Sequence, residues 1–456
     1  KNDVTITGNA FVGAGIWPIL WDVNVTPMIF TKKVQFVTSY QSNNTGRDLS
    51  TNLQSFTYDA ALNLNDRPSQ NSSIIGVQQP STPTLEKRRY LDNQSHYGNV
   101  NALTKLNNDF QLRANIFYIN DKQNQEAATH RTILIPGDTL AFTEQYQNNL
   151  HENHLLGKIS LNRNSKNNYF DNLLSIRSRW DKFSGMVIAD AGEISQNHDS
   201  PVQAISNELK SINEVGDHLL DLKSYVSYDN TNQTLSVSPG PYATVLHDSV
   251  PYTLATQNLN LERVYTDNSA GIVFSVRRFV ITPRVGAQYR HQTLNSDIGL
   301  QNGSGITTDA NTPFINALTT ERLKAYSKTK VEYKYRELTV TGDLPLYWQQ
   351  DHFQDVEKSV DTTTKNLYFD PSFLARLKFK GFWEVWLRAS QSHSTGDPDD
   401  HYYGYILRSY RTLSQNAVPL QQRSSRSVSV NLKYNNSITA FFNSLQYVFS
   451  NTENTM

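Results

Sequence analysis

Cysteine is absent from all 456 residues, which removes disulfide, zinc–thiolate and thiol-nucleophile chemistry together. Excess charge of one sign is missing too. Lys+Arg number 42 and Asp+Glu 42, so the chain lacks the basic surplus of a nucleic-acid or anionic-membrane binder. No long apolar run occurs. The best stretch, Ala10–Trp21, is interrupted by Pro18 and falls short of the ~18–20 residues that a membrane-crossing helix needs. The opening "KNDVTITGNA" has no signal-peptide pattern, so Lys1 reads as a mature or internal start. Hydrophobic residues make up 38% and the mean hydropathy is −0.55, low for a chain with an ordinary soluble core. Aromatics are plentiful instead, with 24 Tyr, 20 Phe and 6 Trp. Rich in rings and poor in aliphatics, the composition suits a wall with a thin apolar band edged by amphipathic side chains.

Alternation with period two dominates the chain. In "KFKGFWEVWLRASQSH" (378–393), Trp383, Val385, Leu387 and Ala389 share one face and Glu384, Trp386, Arg388 and Ser390 the other. Phe110, Leu112, Ala114, Ile116 and Tyr118 oppose Gln111, Arg113 and Asn115. The same oily-against-polar division recurs in 173–180, 280–291 and 427–434, and sustained helical periodicity is missing. The chain therefore reads as all-β.

The connections narrow the class. Tight turns are expected at 106–109, 164–168, 277–278, 335–337, 380–382 and 435–437. Long polar loops are expected at 41–94, 181–218, 292–319, 350–364 and 394–425. Short turn alternating with long loop is the layout of a transmembrane antiparallel β-barrel of the outer membrane, and strands of about ten residues suffice to cross it at a tilt. Tyr118, Trp180, Tyr335, Tyr347, Trp348, Phe382, Trp383 and Tyr434 fall where interfacial girdles belong. A sandwich has shorter strands and a propeller needs a fixed repeat, which this chain lacks.

Three stretches carry a family likeness: "VQFVTSYQSNNTGRDLSTNLQSFT" (34–57), 85–125 beginning "LEKRRYLDNQSHYGNVNALTKLNNDF", and "YTDNSAGIVFSVRRFVITPRVGAQY" (265–289). Here the chain resembles the barrel of TonB-dependent outer-membrane transporters of the Bacteroidetes type, in which a carboxypeptidase-like regulatory domain and a plug precede the barrel. The resemblance implies uptake of a nutrient ligand, a TonB energy complex acting through a plug, and a surface lipoprotein as a further partner. Its departures are equally plain. No plug-like segment is found, and the tail "FSNTENTM" reads as the start of another loop. About fourteen strands can be picked out by alternation, against the ~22 the resemblance implies. Residues 1–456 are thus expected to be one β-barrel domain with an incomplete set of strands, a piece of a longer chain.

Motifs for chemistry are sparse. "HENH" (151–154) lacks the H-E-x-x-H spacing of a zinc helix and is expected to be a polar loop. "GDPDDHYYGY" (396–405) lacks the spacing of a calcium loop and is expected to be an extracellular turn, whose His401, Tyr402, Tyr403 and Tyr405 are the candidate ligand contacts. "GAG" (13–15) is too short for a dinucleotide loop and reads as a strand bend; Asp351 and Asp355 read as solvated loop carboxylates. No nucleophile elbow, metal cluster or cofactor motif is present, so no enzyme and no cofactor is expected. Arg113, Arg177, Arg179, Arg284, Arg290, Lys324, Arg376 and Arg388 fall on the polar face, beside Asp171, Glu332, Asp343 and Glu384, and are the candidate lumen-facing charges. The expected function is the barrel of a plug-gated transporter. The alternatives are a transporter-like barrel used as an assembly scaffold, a barrel enzyme, and a secreted carbohydrate-binding β protein.

Overall fold

The computed structural model describes residues 4–50, 73–107, 109–190, 192–303, 307–309, 312–398, 401–418 and 420–455. Strands account for nearly all of it. In chain order they are β1 (Thr5–Gly15), β2 (Leu20–Phe30), β3 (Val34–Asn43), β4 (Asp92–Lys105), β5 (Phe110–Ile135), β6 (Asp138–Asn164) and β7 (Asn168–Ala189). Then come β8 (Gly192–Val215), β9 (His218–Ser238), β10 (Leu254–Val276), β11 (Phe279–Gln301), β12 (Thr307–Asp309), β13 (Asn316–Tyr335) and β14 (Leu338–Asp355). The last are β15 (Val360–Phe369), β16 (Ser372–Phe379), β17 (Trp383–Thr395), β18 (Tyr402–Ser409), β19 (Thr412–Asn416), β20 (Gln422–Asn436) and β21 (Phe441–Thr455).

One 19-stranded sheet holds all but β18 and β19, which form a separate hairpin. The sheet is an antiparallel meander in which each strand pairs with the next. Two pieces do not advance it. β12 only returns along the end of β11, and β15 and β16 both pair with β14, the break between them falling at Asp370–Pro371, where proline offers no ladder N–H. Among the described residues, β1 and β21 each have one strand neighbour and form the sheet's two edges.

All the connections at one end are short: 31–33, 106–109, 165–167, 216–217, 277–278, 336–337, 380–382 and 437–440. Several need a left-handed residue. Gly216 takes φ +61° at the head of a two-residue turn, and Arg277 (φ 54°) and Arg336 (φ 50°) adopt the same conformation without a glycine. The opposite end carries the segments 44–91, 239–253, 302–315 and 396–421. The expected turn-and-loop asymmetry is present in part: every long segment lies at this end, but β1–β2, β5–β6, β7–β8 and β14–β15 are joined there by short connections.

Several loops expected from the sequence are strand. Residues 181–218 are the far half of β7, a tight turn and all of β8; 292–301 belong to β11; 350–355 and 360–364 belong to β14 and β15. "HENH" lies inside β6, "GAG" is regular β1, and "FSNTENTM" begins within β21. The strands are accordingly far longer than ten residues: β5 has 26, β6 has 27 and β8 has 24.

The physical reason is a reversal of phase along each long strand. Near the short-turn end the apolar residues point outward. Ile116, Ile159, Ile176, Ile205, Val226, Ile272, Val285, Leu344, Leu387 and Val430 are exposed there, while their neighbours face inward. Toward the other end the oily side turns in: Val187, Leu235, Val237, Leu259, Leu261, Leu294, Ile298, Leu318 and Phe353 pack into one buried cluster around Ile406 and Leu407. That cluster unites β7, β9, β10, β11, β13 and β14, so the sheet curls around an interior. Each long strand is a bilayer-crossing segment in series with an extension whose outer face meets water.

Aromatic rings mark the boundaries of the outward band. At the short-turn end, Phe279 packs on Tyr333 (4.8 Å between centroids), Trp383 on Tyr434 (4.9 Å) and Tyr434 on Phe441 (5.8 Å). Tyr118 and Trp180 stand exposed on the outward face at the other boundary. Phe110 to Tyr118 is nine residues and Phe279 to Tyr289 eleven, roughly 26–33 Å from end to end along the strand. Tilted, that length matches an apolar band about 25 Å tall. Tyr347 is a correction to the expected girdle. It points inward, buried with Tyr326 and Tyr368 and hydrogen-bonded to Asp370.

Candidate transport lumen

Strand register fixes which side chains face the interior. Arg113, Arg177, Arg179, Arg284, Arg290, Lys324, Arg376 and Arg388 all fall on the inward face, as do Asp171, Glu332, Asp343 and Glu384. Most of the actual ion pairs are with other carboxylates. Arg179 Nη2 lies 2.5 Å from Asp181, which also takes His154 at 3.1 Å. Arg284 pairs with Asp221, and Arg290 reaches Asp397 at 3.0 Å. Arg376 pairs with Glu384 and lies 4.7 Å from the Trp386 ring; Lys324 lies 4.1 Å from the Tyr347 ring. Arg388 stands opposite Leu374 and Ser429, exposed to the interior.

The most deeply buried pair was not foreseen. Arg263, 1% exposed, donates from Nε to Asp229 at 2.8 Å and reaches the same carboxylate from Nη2 at 2.6 Å. A two-pronged guanidinium contact of this kind compensates both charges in a dry site. The sequence signal was there in "LNLERVY", where Arg263 shares parity with Leu259 and Leu261, but only the phase reversal makes that parity inward.

Two chain segments fill the interior beyond the bilayer band. Residues 73–78 are held from the wall: Gln233 Oε1 accepts from Ile74 N (3.0 Å) and Ile75 N (3.2 Å), and Gln196 Oε1 accepts from Gln78 N (3.1 Å). The β18–β19 hairpin docks beside them. Leu407 N donates to Gln257 Oε1 at 2.8 Å, Gly404 N to Asn316 Oδ1 at 2.6 Å, and Gly76 N to Arg408 O at 2.9 Å. Arg411 pairs with Glu144, and Arg290 and Arg322 hold Asp397 and the Gly396 carbonyl. Wall glutamine and asparagine side chains thus pair backbone groups of the inserts that would otherwise be buried unsatisfied.

This placement corrects the reading of 396–405 as an exposed turn. His401 and Tyr402 are buried, His401 donating from Nδ1 to Val418 O at 3.0 Å and packing against Phe353 and Tyr403, Tyr402 bonding Ser414 at 2.8 Å. Tyr403 and Tyr405 are half-buried, Tyr405 beside Phe314. Asp399 and Asp400 lie outside the described residues. Burial pushes the His401 imidazole below the usual histidine pKa, against a smaller upward pull from the Val418 carbonyl. Burial raises the Tyr410 hydroxyl to about 12.

Asp351 and Asp355 are a further correction. Both are strand residues buried against the inserts, Asp351 pairing with Arg322 at 2.5 Å and Asp355 accepting from Lys358 N at 3.0 Å. No group of three or more metal-ligating side chains occurs among the described residues.

An outward apolar band between aromatic girdles, an inward polar wall and one end of tight turns define a bilayer-spanning β-barrel wall of the outer-membrane type. No family model matches the chain, and no curated protein matches it. Solved structures with a similar arrangement include the ferric-catecholate import receptor Fiu of E. coli K12 (8% identity, 100% of this chain and 82% of that one, TM-score 0.33) and the ferric citrate transporter FecA (8% identity, 99% and 78%, TM-score 0.35). The RagAB peptide transporter matches at 7% identity over 91% of this chain and 61% of its own, TM-score 0.33. Superpositions this loose say nothing of cargo or partner.

Proposed function

We propose that the chain forms the wall of a gated transporter in the bacterial outer membrane. One observation carries this: the inward face is polar and charged within the bilayer band, and beyond that band the β18–β19 hairpin and residues 73–78 fill the interior. A scaffold needs no hydrophilic passage, and an open pore would not be filled. The eight inward cations then line the passage. Tyr403 and Tyr405, only half-buried, are the aromatic contacts of the candidate quartet best placed to meet an arriving solute, while His401 and Tyr402 hold the hairpin. Energy from the inner membrane through TonB, a plug within the wall and a capturing surface lipoprotein are the finer parts of the reading, supported by the family likeness of 34–57, 85–125 and 265–289.

The test is conductance of the native protein in a planar lipid bilayer. Deleting 402–416 should convert a closed or low-conductance wall into a large, steady pore. Unchanged conductance in a properly inserted deletion variant would remove the gate from the account. Solute uptake that persists after the inner membrane is de-energised would remove TonB.

A further inference from the structure

Four inward cations crowd one stretch of the wall toward the short-turn end. Lys210 of β8 stands directly opposite Lys223 of β9, and Arg284 of β11 directly opposite Lys328 of β13. Between them β10 contributes Ser269, opposite Lys223, and Gly271, opposite Arg284. All four cations line a cavity of about 250 Å³, together with Glu208, Asp267, Gln288 and Tyr326. A side chain at Gly271 would press on the Arg284 guanidinium, at 3.3 Å from a built Cβ, so the bare backbone lets that cation lie across the wall.

Like charges directly opposite each other weaken a β ladder. Two such pairs, one on each side of β10, call for negative charge nearby, and the wall supplies only part of it. Lys210 Nζ lies 3.1 Å from Glu208, and Arg284 pairs with Asp221 while donating to Ser269 Oγ at 2.9 Å. Asp267 is occupied by neutral donors, accepting from Tyr326 Oη at 2.8 Å and Gln288 Nε2 at 3.2 Å. Lys223 makes no ion pair among the described residues, and Lys328 lies only against the Tyr326 ring at 4.8 Å. Both ammonium groups are on the interior face, where a solute in the passage would meet them.

We propose that this cavity binds a small polyanion, a phosphate- or carboxylate-bearing solute, with Lys223 and Lys328 as its principal contacts. Anionic oxygens there would accept charge-assisted hydrogen bonds from both ammonium groups and relieve both like-charge pairs. The inference deepens the transport reading and rests on it only for the solute's passage; the binding itself is a property of the wall.

Calorimetric titration of the native protein in detergent with inorganic pyrophosphate and with malonate, and with erythritol as uncharged control, tests it. Both anions should bind saturably and more weakly as salt rises, and erythritol should not bind. Lys223→Gln with Lys328→Gln should lower anion affinity about tenfold or more, with the heat-modifiable gel shift of a folded barrel retained. Lys223→Gln alone serves if the double variant does not assemble. Erythritol binding as well as the anions, no saturable anion binding, or unchanged affinity in a folded variant would each overturn the proposal. Anion binding without any uptake would leave this site standing and sink the transport reading instead.

Discussion

Asp229→Ala would take a paired carboxylate from the Arg263 guanidinium in a site where that residue is 1% exposed. Breaking a buried pair by removing one partner costs about 3–5 kcal/mol, so the variant should show a clearly lower unfolding temperature in detergent, whereas Asp229 and Arg263 replaced together by Asn and Met should recover much of the loss. Leu387 and Arg388 test the two faces of one strand. Leu387 points outward, opposite Ala375 and Val430, and Leu387→Arg should impair insertion by roughly 2–4 kcal/mol near the bilayer midplane. Arg388→Ser, on the inward face, should leave the yield of folded barrel unchanged; its loss would make Arg388 a structural brace. At this scale the sequence was readable wherever a residue lies within the bilayer band, because there outward means apolar. The eight inward cations follow from that rule. Most of their carboxylate partners do not: Glu384, the partner of Arg376, was among the expected inward carboxylates, but Asp181, Asp221 and Asp397 reach the cations by side-chain geometry and, for Asp397, from a distant insert.

The β18–β19 hairpin is held by backbone bonds to Gln257 and Asn316 and by a close fit at Gly404, where a Cβ would meet Ile315 O at 2.5 Å. Gly404→Val should therefore undock the hairpin without harming the wall, seen as faster proteolysis within 402–416 and raised conductance. Acidification should act in the same direction. His401 has its pKa lowered by burial, so its contribution to docking is complete above the unfolded histidine value of ~6.5 and is lost as pH falls below it toward the depressed folded value. Protection of 402–416 against hydrogen exchange, taken relative to the intrinsic rate at each pH, should fall between about pH 7 and 5, and His401→Gln, which keeps a donor for Val418, should flatten that dependence. The long strands and this hairpin were hard to read for a common reason. Beyond the bilayer the wall faces water outside and a packed insert inside, so the alternation changes phase, and a polar stretch such as 181–218 looks like loop when it is strand.

For the whole molecule, direction matters more than strand length. β1 and β21 both run from the short-turn end toward the other, so they cannot be antiparallel neighbours of each other. If the ring closes with every pair antiparallel, an odd number of further strands stands between them. Those strands would come from residues outside the described ones or from a partner, and cross-linking of the membrane-inserted protein followed by mass spectrometry would identify which segment flanks β1 and β21. A ring at least as wide as the described meander exceeds the small barrels that their own side chains fill, and here the inserts occupy part of the interior. The central claim is that this curled sheet faces lipid outside and a wet passage inside, and the lack of any native cysteine makes that directly measurable. Single cysteines placed in turn at 385 to 390 in the membrane-inserted protein would be exposed to a membrane-impermeant maleimide. Labelling at 386, 388 and 390 with protection at 385, 387 and 389 is the predicted result; uniform labelling, or the opposite phase, would contradict the account.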